Sequence, residues 1–187
     1  MTVITTDEFE IGLPEGHLLR DAAAEDAAAV AEIYNQAVRR GGATMDTVEK
    51  TEAVIQAQLR RLDAREFLLV LEGKGVMLGW GAIKRYSDRE GYRFACETSV
   101  YIHIAYLRRG YGSLVKRALI ARSRRLGYRH LVAKVFAENQ ASIDCNLKLG
   151  FEVVGTQKQI GFMGGRWHDV VIMQFIQPHE PEAGSAW

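Results

Sequence analysis

Residues 107–113, LRRGYGS, place two glycines and two arginines between an apolar strand-like run and a helical run. A glycine turn at the start of a helix leaves backbone N–H groups unpaired at the positive end of the helix dipole, where a phosphate can bind. Arg108 and Arg109 add positive charge at the same place. The segment predicts a site for a phosphorylated cofactor. On the alternative interpretation, its glycines only begin a helix.

Two familiar phosphate-binding motifs do not fit this segment. The dinucleotide fingerprint G-x-G-x-x-G is absent, because the segment holds only Gly110 and Gly112. The chain also contains no G-K-[ST] triplet of a nucleoside-triphosphate site. The expected phosphorylated cofactor is therefore of another kind.

The surrounding pattern predicts the elements that position this segment. Residues 95–104 alternate, so that Glu97, Ser99, Tyr101 and His103 share one face of a strand. The other predicted strands are 17–20, 66–72, 76–84, 131–136, 151–156 and 170–176, and the predicted helices are 22–40, 48–62, 112–126 and about 139–149. This order predicts an α/β (α+β) fold with one mixed, mostly antiparallel sheet flanked by helices.

The composition fits one soluble domain in a reducing compartment. The chain has 187 residues and a formal net charge of +1, so no global charge favours a nucleic-acid partner. Cys96 and Cys145 lie far apart without a C-x-x-C pattern, and no run of about 18 apolar residues occurs. We predict a cytoplasmic protein with no membrane partner and no metal site. We further predict an arm over residues 1–17, a folded domain over 18–176 and a flexible tail over 177–187.

Several stretches resemble a known family. VYIHI (100–104), RRGYGS (108–113) and ENQASIDCNLKLGF (138–151) resemble the acyl-CoA-binding signature of the GNAT superfamily of N-acyltransferases. Within that superfamily, AEIYNQAV (31–38), CETSVYIH (96–103) and GGRWHDVVIMQ (164–174) resemble the phosphinothricin and methionine sulfoximine N-acetyltransferase branch. The likeness spans residues 18–176 and implies the GNAT fold.

The resemblance implies acetyl-CoA as the cofactor. In the family, backbone amides of the glycine loop hold the CoA pyrophosphate, and an Asn in the position of Asn139 faces the pantetheine arm. A backbone N–H of the strand before the loop stabilises the developing oxyanion. The implied cofactor-binding residues are Val100, Tyr101, Ile102, Arg108, Arg109, Gly110, Tyr111, Gly112, Ser113 and Asn139.

Two positions depart from the family pattern. Leu107 stands where the loop normally begins with Gln or Arg, and Asn146 stands where many relatives carry Tyr or His near the CoA sulfur. An Asn amide can donate a hydrogen bond but cannot give up a proton at neutral pH. Asn146 is thus a candidate catalytic residue only as a hydrogen-bond donor.

Glu97 is the implied general base. A side-chain-like amine with a pKa of about 10.4 is neutral in roughly one molecule per thousand at pH 7, so a base that removes the ammonium proton gains rate. Spacing alone also allows a solvent-facing or salt-bridged glutamate. The resemblance to the branch, in which the matching Glu is the proposed base, favours the catalytic role.

The resemblance implies that the loop before the Glu97 strand contributes to the substrate pocket. Arg85 and Arg93 are candidates to hold a substrate carboxylate, and Tyr92 to form a wall, although loop arginines are commonly only solvated. The adjacent His168 and Asp169 point to opposite sides of a strand, which favours a structural role over a catalytic one. Branch members are typically homodimers, so a homodimer is expected.

The sequence predicts an acetyl-CoA-dependent N-acetyltransferase acting on a small amino-acid-like amine. One alternative is acetylation of a protein N-terminus, a polyamine or an aminoglycoside. Another is an acyl-CoA-binding module that has lost catalysis, for which Leu107 and Asn146 are the supporting features.

Overall fold

The computed structural model describes residues 3–4 and 12–178. One eight-stranded sheet and four α-helices form this part of the chain. In chain order the elements are β1 (Val3–Ile4), β2 (His17–Asp21), α1 (Ala27–Arg40), α2 (Glu52–Arg60), β3 (Phe67–Gly73), β4 (Val76–Arg85), β5 (Ala95–Ile102), α3 (Tyr111–Arg125), β6 (His130–Phe136), α4 (Gln140–Lys148), β7 (Glu152–Met163) and β8 (Arg166–Ile176).

The sheet has the strand order β1-β2-β3-β4-β5-β6-β8-β7. Neighbouring strands are antiparallel except β5 and β6, which are parallel. This confirms the predicted mixed, mostly antiparallel sheet. Apolar residues of α3 and α4 pack on one face of the sheet, and those of α1 and α2 pack on the other.

The ladder between β5 and β6 is short. It runs only from the pair Ala95–His130 to the pair Glu97–Val132. Beyond Glu97, the backbone of β5 toward Ile102 has no β6 partner, although it stays paired with β4. The two parallel strands therefore separate, and their opening lies at the end of β5 that leads to the glycine loop.

Turn and cap residues explain the element boundaries. Lys74 and Gly75 both have positive φ, 52° and 77°, as a two-residue hairpin turn between β3 and β4 requires. Thr51 accepts a hydrogen bond from the N–H of Val54, so α2 begins at Glu52, later than predicted. His103 accepts one from the N–H of Ala105, which ends β5 at Ile102 and begins a short 3₁₀ turn.

The last two strands differ most from the prediction. Residues 157–169 were expected to connect two short strands, but they belong to a long β7–β8 hairpin. Gly164 and Gly165, at φ values of 58° and 76°, make its turn. The pattern was misleading because β7 is an edge strand whose residues are mostly exposed, so apolar and polar side chains do not alternate along it.

The two predicted end segments are described only in part. Val3–Ile4, within the predicted arm, pair with β2. Gln177, assigned to the tail, is buried, and its side-chain amide donates to Ser123 Oγ at 2.9 Å. The remaining tail, residues 179–187, lies outside the described residues. Within residues 3–4 and 12–178, none of the helices combines the length and apolar character needed to cross a membrane.

Candidate active site

The glycine loop builds an anion-binding helix start. Gly110 is the N-cap of α3 with φ 85° and ψ −8°, a left-handed conformation that favours glycine. The first intrahelical bond joins the N–H of Leu114 to the carbonyl of Gly110 at 3.1 Å. The N–H groups of Tyr111, Gly112 and Ser113 therefore have no partner within the helix, and they lie at its positive end.

The side chains around the loop differ in the contacts that they make. The Tyr111 hydroxyl lies 3.1 Å from His17 Nε2, and the Ser113 hydroxyl lies 3.1 Å from Cys145 Sγ. The backbone N–H of both residues remains free for a cofactor. Arg108 and Arg109 are exposed and form no ion pair within the described chain. The Arg109 guanidinium lies over the Tyr106 ring, 5.5 Å from its centre, and two exposed cations beside free N–H groups fit a pyrophosphate.

The opening between β5 and β6 presents backbone groups and three side chains on alternate faces. Val100 and Ile102 pack against the cluster that contains α3, whereas Tyr101 packs against Trp80 and Tyr34 on the other face. Burial raises the pKa of Tyr101 to about 12, so its hydroxyl stays protonated. Because β6 does not pair here, β5 backbone donors remain available to an inserted ligand.

Asn139, the N-cap of α4, and Asn146, within α4, differ in whether each polar side-chain atom has a hydrogen-bond partner. Asn139 caps the helix through a 3.2 Å bond from Ser142 N–H, and its amide donates to the Gly42 carbonyl at 3.2 Å. Asn146 is 5% exposed and donates to the Ser142 carbonyl at 2.8 Å. Its Oδ1 is buried and has no partner among the described groups. An orphaned buried acceptor fits an amide-bearing ligand such as the pantetheine arm.

Glu97 lies on the face of β5 that points away from α3. Its Oε2 accepts a bond from Lys134 Nζ on β6 at 2.6 Å, and the side chains are 34% and 47% exposed. Glu97 is the last β5 residue paired with β6, so its carboxylate lies where the strands separate. The sequence allowed a salt-bridged Glu97 but did not identify Lys134. The signal was one charge in the otherwise apolar run LVAKVF.

Thr98 carries a second lysine contact on the opposite face. Lys116 Nζ of α3 donates to the Thr98 hydroxyl, which donates to the Val132 carbonyl at 3.1 Å. Lys116 is 5% exposed, and burial lowers its pKa to about 8. Lys116 was not among the predicted site residues, although it precedes the buried Leu119 by three residues, as helical spacing allows.

The connection between α1 and α2 covers part of the same face as Glu97. The Tyr34 hydroxyl donates to Asp46 Oδ2 at 2.6 Å and lies 2.7 Å from Thr44 Oγ1. The hydrogen bond from Tyr34 lowers the pKa of Asp46. Met45 packs so closely on Gly161 of β7 that a Cβ there would lie 2.6 Å from its sulfur. These contacts, absent from the sequence analysis, hold the connection in place.

The predicted substrate residues lie at the far end of β5 from the glycine loop. Arg85 pairs with Asp63 at 3.1 Å and with Asp88 at 3.3 Å. Arg93 pairs with Glu90 at 3.4 Å, and Tyr92 is exposed beside the ring of Tyr86. None of the three predicted residues contacts Glu97 in the described structure, and both guanidinium groups are held by carboxylates of nearby loops.

His168 is buried beside a cavity at the tip of the β7–β8 hairpin. Its Nε2 lies 3.1 Å from the Met163 carbonyl, and its Nδ1 lies 3.5 Å from Glu138 Oε1. Asp169 faces Lys158 instead, at 2.8 Å, so the adjacent pair does not act together. The cavity measures about 310 Å³ and is lined by Arg40, Gly41, Gly42, Met163, Gly164, Arg166 and His168.

Known proteins resemble this chain in both sequence and fold. The profile of the acetyltransferase (GNAT) domain matches residues 17–152. An L-methionine sulfoximine/L-methionine sulfone acetyltransferase of Salmonella typhimurium is 35% identical over 158 residues, which cover 83% of this chain and 92% of the relative. A phosphinothricin N-acetyltransferase of Alcaligenes faecalis is 36% identical over 152 residues, covering 80% and 77%. The yncA protein of Salmonella typhimurium, solved with its cofactor acetyl-CoA, superposes with a TM-score of 0.86 at 30% identity, covering 92% of this chain and 100% of that one.

Proposed function

The chain belongs to the GNAT acetyltransferase family, and from that premise we propose that it transfers the acetyl group of acetyl-CoA to the primary amine of a small amino-acid-like substrate. Methionine sulfoximine, methionine sulfone and phosphinothricin, named in the relatives, are the substrates of first choice. The observation that supports this proposal most directly is the position of the Glu97 carboxylate, at the point where β5 and β6 separate.

The cofactor half of the site would be held mainly by backbone. The free N–H groups at the start of α3 bind the pyrophosphate, with Arg108 and Arg109 beside them. The unpaired edge of β5 and the Oδ1 of Asn146 provide hydrogen-bond partners for the pantetheine arm. Acetyl-CoA supplies an acetyl group that is activated as a thioester.

Glu97 would perform the proton transfer. Its carboxylate takes a proton from the substrate ammonium, directly or through one water, and so generates the neutral amine that attacks. A backbone N–H near Val100–Ile102 donates to the carbonyl oxygen as negative charge develops there. Asn146 need not act as an acid, because a thiol with a pKa of about 8.5 leaves readily as the thiolate.

Thiol release from acetyl-CoA tests this function. The purified chain is assayed with L-methionine sulfone, L-methionine sulfoximine and phosphinothricin, and in parallel with spermidine, an aminoglycoside and a peptide with a free N-terminus. We expect release with the amino-acid-like amines and little with the others. Release only with the comparison amines would identify one of the alternative acetyltransferases. Acetyl-CoA binding in calorimetry without any release would identify a non-catalytic module.

A homodimer is part of the proposal. Large apolar side chains are exposed on the β7–β8 hairpin, which supports an interface there. They include Val153, Val154, Ile160, Phe162 and Trp167. Light scattering after size exclusion should give twice the chain mass, and a monomer at micromolar concentration would contradict the dimer.

We also place the enzyme in the cytoplasm. Cys96 and Cys145 are free thiols, and Cys96 is fully buried. Free cysteines are usual in a reducing compartment. Fractionation of the source cells would test this location.

A further inference from the structure

The ion pair of Glu97 and Lys134 contributes little to stability but presents two charges to a ligand. Both side chains are partly exposed, and an exposed pair is worth about 0–1 kcal/mol. Each group can therefore exchange its partner for one of a ligand at small cost. Lys134 follows Val132, the register partner of Glu97, by two residues, so the two side chains share one face of the sheet.

An α-amino acid carries the complementary pair of charges. Its ammonium and carboxylate are attached to one carbon, so both lie within reach of adjacent groups. Placed head to tail beside the ion pair, its ammonium faces Glu97 and its carboxylate faces Lys134. Each substrate group then makes a charge-assisted hydrogen bond, the stronger kind in proteins.

We propose that Lys134 determines substrate specificity by binding the carboxylate of an α-amino acid whose ammonium is held by Glu97. The inference rests on the proposed function, because it takes Glu97 as the group that meets the amine. It assigns carboxylate recognition to a β6 residue rather than to Arg85 or Arg93.

The charges around the site support this assignment. Arg85 is the register partner of Cys96, so its side chain lies on the face opposite Glu97, and Arg93 precedes β5 and pairs with Glu90. Lys84 is the β4 register partner of Glu97 and lies on the same face, but among the described residues the cation hydrogen-bonded to Glu97 is Lys134, with Nζ 2.6 Å from Oε2. The same ammonium repels a second positive charge on a substrate, which disfavours a polyamine.

Removing the Lys134 charge should affect substrates with and without a carboxylate differently. For Lys134→Met we expect KM for L-methionine sulfone to rise about 10- to 100-fold, the value of a hydrogen bond to a charged group, with kcat changed little. For the decarboxylated analogue 3-(methylsulfonyl)propan-1-amine, kcat/KM should stay unchanged or rise. Lys134→Arg keeps the charge and should recover most of the affinity.

A matched control removes another exposed lysine ion pair. Lys158 lies 2.8 Å from Asp169 on the β7–β8 hairpin, and Lys158→Met should leave both substrates unaffected. Equal losses for the two substrates in Lys134→Met, or no loss for either, would overturn the proposal.

A binding measurement separates this inference from the proposed function. Calorimetry with L-methionine sulfone and CoA gives an affinity that does not depend on turnover. Binding that weakens in Lys134→Met, without turnover in the unmodified enzyme, would retain the carboxylate site and reject the function. Turnover with a KM insensitive to Lys134→Met would reject the site and retain the function. An enzyme that neither binds nor acetylates the amino acid would reject both.

Discussion

Two lysines flank the point where β5 and β6 separate, one on each face of the sheet. Lys134 pairs with Glu97 on the side that includes α1 and α2, and nearly half of its side chain is exposed. Lys116 donates to Thr98, the next residue of β5, on the side of α3 and α4, and is buried. Adjacent strand residues point in opposite directions, so one junction supports both contacts.

The environments of the two lysines assign them different roles. Lys134 has a carboxylate partner and access to solvent, so it can exchange that partner for a ligand. Lys116 has only a hydroxyl and the ring of Phe151, 4.8 Å away, among its described contacts. Burial without a carboxylate destabilises its charged form. Lys116 donates to the Thr98 hydroxyl, and that hydroxyl donates to the Val132 carbonyl. This chain of bonds links β5 to β6 where their pairing ends.

The largest expected effect concerns the exposed face. Glu97→Gln keeps the size of the side chain but removes the base, so kcat/KM should fall about 10²- to 10⁴-fold. The free energy of unfolding should change by less than about 0.5 kcal/mol, because the ion pair is exposed. Steady-state thiol release and urea unfolding measure the two quantities. Glu152→Gln, at an exposed position of β7, is the control and should retain full activity.

On the buried face, the contribution of Lys116 to the free energy of unfolding should depend on pH. The pKa of Lys116 is about 8 in the folded chain and about 10.4 when unfolded, so the cost of its buried charge is full below pH 8 and disappears as the pH rises to about 10.4. At pH 7, Lys116→Met should raise the free energy of unfolding by up to about 3 kcal/mol, reduced by the loss of the hydrogen bond to Thr98. By pH 10 this difference between variant and parent should be smaller.

Urea unfolding of both proteins at pH 7 and pH 10 measures that difference. The parent is measured at the same pH because burial also raises the pKa of Cys96, to about 12, which lowers stability above pH 9 in both proteins. Any charge left on Lys116 lowers the Cys96 pKa, so its removal further reduces the difference at pH 10. Lys148→Met, at an exposed site, should show no such dependence. A pH-independent difference for Lys116→Met would mean that this lysine is not buried as a cation.

The smallest expected effect concerns the link between the two faces. Thr98→Val removes the acceptor of Lys116 and the donor to Val132, and should cost about 1–3 kcal/mol of unfolding free energy. If Thr98 also supports the opening, KM for acetyl-CoA should rise while KM for the amine changes less. Loss of stability with unchanged acetyl-CoA kinetics would limit Thr98 to a structural role.

The glycine-loop start of α3, where we propose that the cofactor binds, was predictable because its signals are local. Gly110 and the helix after it occur within a few residues, and backbone groups need no particular partner. The β3–β4 hairpin was predictable for the same reason, since Lys74 and Gly75 make its turn. The β7–β8 hairpin was not, because exposure of an edge strand removes the alternation that marks a half-buried strand.

The proposed binding site for the amine substrate, around Glu97, depends on contacts between residues that are distant in sequence. Lys134 meets Glu97 only because β5 and β6 are parallel neighbours in one register, which no local pattern encodes. Arg85 and Arg93 stay predictions by residue type, and the sequence does not show that they pair with Asp63 and Glu90. Charge type alone therefore does not show which cation lies beside Glu97.

A crystal structure with CoA and L-methionine sulfone would test the central claim most directly. We expect the pantetheine arm between β5 and β6, and the amine nitrogen within about 2.6–3.2 Å of the Glu97 carboxylate, directly or through one water. An amino acid bound in the cavity beside Arg40 and Arg166, with Glu97 still bound only to Lys134, would contradict this mechanism.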